Sequence, residues 1–121
     1  MVERIAEVRR LLEVVRRAYQ PTDFVIGRGT GDDVAYEPAT GREIWRVTLS
    51  PDCFSNVLRP VYGHGLVFIC TGYDSPSLLA IRSDGEGDVT ETHVEWKLSK
   101  GVPNSPSLTL VDDELYLISD G

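Results

Sequence analysis

The sequence predicts a mainly β fold preceded by one amphipathic α-helix, on three observations. Residues 1 to 20 place apolar side chains at steps of three and four, the period of a helix with one buried stripe. From residue 23 onward the chain breaks into nine short β-branched and aromatic segments bounded by Gly, Asp, Pro or Ser, with no helical stretch between them. That pattern describes antiparallel β-structure. The segments also repeat: "DFVIGRG" (23–29), "LVFICTG" (66–72) and "LYLISDG" (115–121) each close an aromatic-aliphatic run with glycine, at offsets of 43 and 49 residues. Periods of about 40 to 50 residues holding about four strands are the signature of a β-propeller. The expectation is therefore a propeller fragment of antiparallel four-stranded blades over residues 21–121. It comprises an incomplete blade (23–50), a full blade (55–100) and the start of a third (102–121), with the helix over 1–20 in front.

In the helix, Ile5, Val8, Leu12, Val15 and Tyr19 form the stripe, Leu11, Val14 and Ala18 widen it, and Pro21 supplies the stop. Arg9 with Glu13 and Glu13 with Arg17 are i,i+4 pairs on the wet face. A stripe this apolar has to be buried, against a sheet edge or face or against a second copy. Next, "GRGTGDD" (27–33) reads as a hairpin: a phosphate cradle would open a helix and carry a lysine, whereas here two aspartates lead into a strand. The strands "DDVAYEP" and "REIWRVTL" follow, then "NVLRPVYG", "LVFICTGY" and "SLLAIRS". His64 in "YGHGL" is a turn residue, and His93 begins the outer strand "HVEWKLS". Between them, "SDGEGDVTE" (83–91) alternates Asp84, Glu86 and Asp88 but lacks the spacing of a calcium loop, so it reads as a solvated turn. "SLTLVDD" and "ELYLISDG" complete the set.

"AYEPATGREIW" (35–45) is the most informative stretch. The Ala35 strand ends at Glu37-Pro38, Thr40-Gly41 makes the reversal, and Trp45 returns on an outer strand where its ring can pack on a neighbouring unit. The pattern Ala-x-acid-x-x-Thr-Gly-x-x-x-Trp resembles the tryptophan-docking motif of the pyrroloquinoline-quinone-type eight-bladed propellers. Ala35, Thr40, Gly41 and Trp45 match it, and Glu37 stands where that family prefers aspartate. A second copy runs from Ala80 to Trp96, with six more residues in its turn. The resemblance covers roughly residues 23 to 121 and does not reach the helix.

The resemblance implies one of two functions. Some relatives are quinoprotein dehydrogenases that hold the quinone and a calcium ion on the propeller axis with residues from many blades. Others are non-catalytic scaffolds. A chain with under three blades cannot complete such a site alone, so the expectation is a non-enzymatic structural or protein-interaction module without a cofactor; the alternative is a fragment of a quinone-dependent oxidoreductase. "FSNVLRP" and "VPNSPS" precede inner strands, where a propeller's connections border the axial channel, so Asn56, Arg59 and Asn104 are candidates for a channel mouth. The expected partners are further copies of the chain, as a trimer or tetramer ring or a helix-mediated dimer, or the remainder of a parent propeller.

Composition bounds the rest. A formal charge of −7 and a pI near 4.7 argue against nucleic acid as a main partner. The charge is uneven: residues 1 to 20 carry five Arg and three Glu, and the remainder is acidic, which disfavours binding to anionic lipid. Cys53 and Cys70 belong to no CxxC pair and read as two free thiols. Glu3, Glu7 and Glu13 interrupt any secretory apolar core, so the expected location is cytoplasmic, although relatives of the resembled family are often periplasmic or secreted.

Overall fold

The computed structural model describes residues 24–29, 31–50, 58–72 and 75–120. The helix expected over 1–20 lies outside them, as do Cys53 and Asn56. The described part is mainly β, in antiparallel sheets, with no helix. Among the described residues no helix is long and apolar enough to cross a membrane.

Among the described residues ten strands make three sheets. The first combines β1 (Val25–Arg28), β2 (Asp32–Tyr36) and β3 (Glu43–Thr48), all antiparallel. The second is the antiparallel meander β4 (Val61–Gly63), β5 (Leu66–Thr71), β6 (Ser77–Arg82) and β8 (Val94–Leu98). The third is the hairpin β9 (Thr109–Val111) and β10 (Glu114–Tyr116). The remaining strand, β7 (Gly87–Asp88), is reached from the second sheet but pairs in parallel with β3 of the first.

The sheets stack face to face with the second in the middle. Because strand side chains alternate, Val67, Ile69, Leu79 and Ile81 point to the first sheet and pack with Ala35, Trp45, Val47 and Leu49. Their neighbours Phe68, Cys70, Leu78 and Ala80 point the other way and join Leu58, Val102 and Leu108, with Leu110, Leu115 and Leu117 of the third sheet packed against them. With both faces covered, β5 and β6 have no polar face to display, which is why "LVFIC" and "LLAI" read as continuous apolar runs.

Closeness at the inner edge of the stack depends on Gly63. A Cβ built there would lie 2.2 Å from Leu110 Cδ2, so β4 and β9 can approach only because the side chain is missing. Gly63→Ala is therefore expected to push the third sheet off the second at a cost of about 1 to 3 kcal/mol, the usual penalty for overpacking a core. A urea unfolding series with an unchanged midpoint would show that the contact yields freely.

The "SDGEGDVTE" segment corrects the sequence reading. It is not a simple solvated turn: Val89 is completely buried in the cluster between the first two sheets, and its N–H donates to Arg46 O at 2.9 Å. Thr48 N–H donates to Thr90 Oγ1 at 2.9 Å. The insertion thus covers the outer edge of β3, an edge that would otherwise present unpaired backbone groups.

Candidate functional site

The two tryptophan copies superpose in hydrogen-bond register. Ala35 faces Trp45 across β2–β3, Ala80 faces Trp96 across β6–β8, and each ladder has a register shift immediately after the alanine. The closing bonds match too: Glu37 N–H donates to Arg42 O and Arg82 N–H to His93 O, both at 2.8 Å. Between those bonds the first copy has its short turn. Thr40 Oγ1 donates to Glu37 Oε2 at 2.5 Å, Gly41 N–H to Glu37 O at 2.8 Å and Arg42 N–H to Thr40 Oγ1 at 3.2 Å. Gly41 has φ of 73°, a conformation that costs glycine little. The glutamate thus bonds the threonine from the position where the resembled motif prefers aspartate. The second copy carries the β7 insertion in the same place.

The two indoles differ in environment. Trp45 is 0% exposed, beneath Val67, Ile69, Leu79 and Ile81, with its ring centroid 6.2 Å from that of Phe24. Among the described residues its Nε1–H has no acceptor. Trp96 is 43% exposed, with Phe68 at 5.9 Å between centroids.

Of the channel-mouth candidates, Asn56 lies outside the described residues and Arg59 is exposed. Asn104 is half-buried; its N–H donates to Asp120 Oδ2 at 2.5 Å, and its Oδ1 is buried without a donor among the described residues. The turn histidine does find a partner: His64, with φ of 56°, places Nε2 2.6 Å from Asp112 O, tying the β4–β5 turn to the β9–β10 turn. No three His, Cys, Asp or Glu side chains converge on a metal position among the described residues. In the former calcium-loop candidate, Asp88 accepts from Thr90 N–H and Oγ1, which lowers its pKa, while Asp84 sits 3.6 Å from His93.

Sequence reasoning missed the most heavily bonded side chain. Arg28, at the end of β1, donates to Asp33 through Nε (2.9 Å) and Nη2 (3.1 Å). It also crosses to the second sheet, donating to Leu58 O at 2.8 Å and Cys70 O at 2.6 Å. Asp33 is 0% exposed and the Arg28 side chain 11%. Burial pushes the Asp33 carboxyl above its ordinary value, and the bond from Arg28 and its charge oppose the shift. Register explains the oversight. Aligning the repeats on their glycines matches Arg28 with Thr71, whereas the ladders match Ile26 with Phe68 and Phe68 with Tyr116, offsets of 42 and 48 residues in place of 43 and 49. A shift of one residue reverses the face of every side chain, so Arg28 takes the place of Cys70 and points at the second sheet.

Cys70 itself is buried and free, and burial pushes its thiol up to about 11, with the Arg28 charge opposing. Thiolate is the reactive form, so Cys70 is expected to resist iodoacetamide at pH 7.5 in the folded protein and to react promptly in denaturant. Peptide mapping by mass spectrometry reads this directly, and rapid native labelling of Cys70 would contradict the burial.

A cleft of about 1160 Å³ lies between the ends of the first two sheets, with Val47, Leu49 and Leu79 on its apolar side and Thr71, Ser77 and Lys97 on its polar side. With Thr90 and Glu91, which also line it, the cleft presents hydroxyls, one carboxylate and one ammonium. Compared with protein-family models, curated proteins and solved structures, the chain finds no match in any of the three.

Proposed function

We propose that this chain is a non-catalytic β-propeller repeat module of the pyrroloquinoline-quinone-like type, serving as a structural or protein-interaction scaffold. One observation carries the reading: two sheets share an alanine-tryptophan register pair, a register shift at the same step and the same closing bond. On this reading the three stacked sheets are successive blades, strands b to d of one, all four of the next and strands a and b of a third. Trp45 is the side chain that docks one blade on the next. Fold alone does not assign chemistry, and the scaffold role follows from buried residues that are occupied in holding sheets together. The chain works in association with further protein, either copies of itself or the rest of a propeller, because stacked repeats need neighbours on both sides.

The test is enzymatic and hydrodynamic together. Purified protein incubated with pyrroloquinoline quinone, calcium and an alcohol or sugar substrate should reduce no redox dye, and light scattering coupled to gel filtration should show an assembly larger than 13.4 kDa. Dye turnover that depends on the quinone would replace this reading with the oxidoreductase fragment. A monodisperse monomer melting cooperatively would remove the need for a partner.

A further inference from the structure

We propose that the Asp84-Gly85 step is a self-modification site, where aspartate isomerises to isoaspartate with His93 carrying the proton, and where the lengthened backbone lifts the β7 arm off β3. The inference stands apart from the propeller reading, since it uses only the turn after β6 and its contacts. Aspartate followed by glycine is the step most prone to this reaction, because glycine puts no side chain in the way of its own nitrogen. The chain holds two such steps, Asp84-Gly85 and Asp120-Gly121.

The fold treats the two aspartates differently. The Asp84 side chain is 78% exposed and places Oδ1 3.6 Å from His93 Nε2. A Cβ built on Gly85 would fall 3.0 Å from the same nitrogen and 2.5 Å from Val89 Cγ1, so the imidazole closes over this peptide only because residue 85 has no side chain. The Gly85 N–H makes no hydrogen bond among the described residues, which leaves the attacking nitrogen unengaged. His93 Nδ1 lies 2.7 Å from Thr92 Oγ1. With that hydroxyl donating to Nδ1, the ring proton sits on Nε2, toward Asp84. Asp120, by contrast, has its carboxylate on Asn104 N–H, and the chain's other histidine, His64, bonds Asp112 O.

The chemistry balances within the chain and water. With the Asp84 carboxyl protonated, Gly85 N attacks Cγ; the amide proton passes through His93 to the departing hydroxyl, which leaves as water and closes a succinimide. Proton transfer of this kind is the ordinary work of a positioned histidine. Water then adds to a ring carbonyl. Opening at the main-chain carbonyl carbon leaves Gly85 joined to Cγ, so the mass is unchanged and the backbone is longer by one methylene. That methylene falls between two fixed points. On one side Arg82 N–H donates to His93 O and Ser83 N–H to Gly65 O; on the other β7 pairs with β3, and Val89 is fully buried with its N–H on Arg46 O. The two-residue pairing of β7 is the weaker anchor and gives way first.

The whole chain, incubated at 37 °C and neutral pH, is sampled over weeks and mapped by mass spectrometry with electron-transfer fragmentation, which separates isoaspartate from aspartate at equal mass. Isoaspartate is expected to accumulate at residue 84 several times faster in the folded chain than in the chain held in guanidinium chloride. His93→Gln, its fold checked by circular dichroism, should bring the folded rate down to that of the unfolded chain. The comparison with denaturant decides the matter whether or not that variant folds. Hydrogen exchange reads the consequence: Val89 N–H and Thr48 N–H should be protected in fresh protein and lose protection in the isoaspartate fraction. Asp84→Glu, whose longer side chain closes a ring far more slowly, should keep both protected throughout. A folded rate no faster than the unfolded one, or a folded His93→Gln rate equal to the parent's, would overturn the proposal. So would full protection of Val89 N–H in the isoaspartate fraction, because the arm would then still be seated on β3.

Discussion

Trp45→Ala is expected to lower the melting temperature far more than Trp96→Ala, although both residues hold the same place in the repeat. Truncating a fully buried tryptophan costs about 3 to 5 kcal/mol, transfer and cavity together. In a domain of this size each kcal/mol moves the midpoint by several degrees, so the loss should be on the order of 10 °C or more. Trp96 is 43% exposed and leaves little cavity, so its truncation should cost on the order of 1 kcal/mol. Trp45→Phe separates packing from hydrogen bonding. It keeps a ring among Val67, Ile69, Leu79 and Ile81 and removes a buried N–H that has no acceptor among the described residues. An unsatisfied buried donor carries a penalty of about 1 to 3 kcal/mol, so the phenylalanine variant should be much closer to the parent than the alanine variant. Small and equal losses for Trp45→Ala and Trp96→Ala, read from circular-dichroism melts, would remove Trp45 from its packing role.

The contrast between the two tryptophans also shows what the sequence can convey. Strand identity was legible because each strand is short, β-branched and bounded by turn formers, and the Ala35 to Trp45 pattern has its turn written in Thr40 and Gly41. Burial of one indole and exposure of the other is not legible there: the sequence distinguishes the two copies only by the six extra residues in the second turn. The stretch between Ala80 and Trp96 does not loosen the second sheet; it reaches back to cover β3 of the first and buries Val89. Among the described residues Trp96 faces a sheet of two strands where Trp45 faces one of four. No local pattern records what a residue faces across a sheet interface.

Asp33 shows the same limit. In sequence it is one of two adjacent aspartates that lead from a glycine-rich turn into a strand, and nothing local tells them apart. In the sheet, Asp32 faces away and pairs with Arg46 at 2.8 Å, while Asp33 faces the neighbouring sheet. Only the ladder distinguishes them, and the ladder is set by hairpin length, which the aligned glycines misplace by one residue.

Arg28→Met should be among the most damaging substitutions in the chain at neutral pH and should lose part of its effect on acidification. Removing one partner of a buried ion pair leaves an uncompensated charge, a cost of about 3 to 5 kcal/mol, and here it also strips donors from Leu58 O and Cys70 O. The pH dependence follows from the direction of the Asp33 shift. Its carboxyl titrates above the ordinary value of 3.8 in the fold, so the native state holds this proton more tightly than the unfolded chain. The contribution of Asp33 to stability is therefore greatest below about pH 3.8 and falls as pH rises through the folded pKa. Arg28 limits that fall, because its hydrogen bond and its charge both favour the carboxylate. Without Arg28 the carboxyl moves further up and the window of declining stability extends toward neutrality, so the deficit of Arg28→Met relative to the parent should widen between pH 4.5 and 7. The second sheet suggests the remedy, since Cys70 and Leu78 occupy the matching pair of positions there. Arg28→Met combined with Asp33→Leu removes the orphaned charge and should recover most of the loss, less about 1 kcal/mol for each carbonyl left without its donor. A parent-like melt for Arg28→Met at pH 7, or a deficit that does not change with pH, would mean that the pair is solvated and does not join the two sheets.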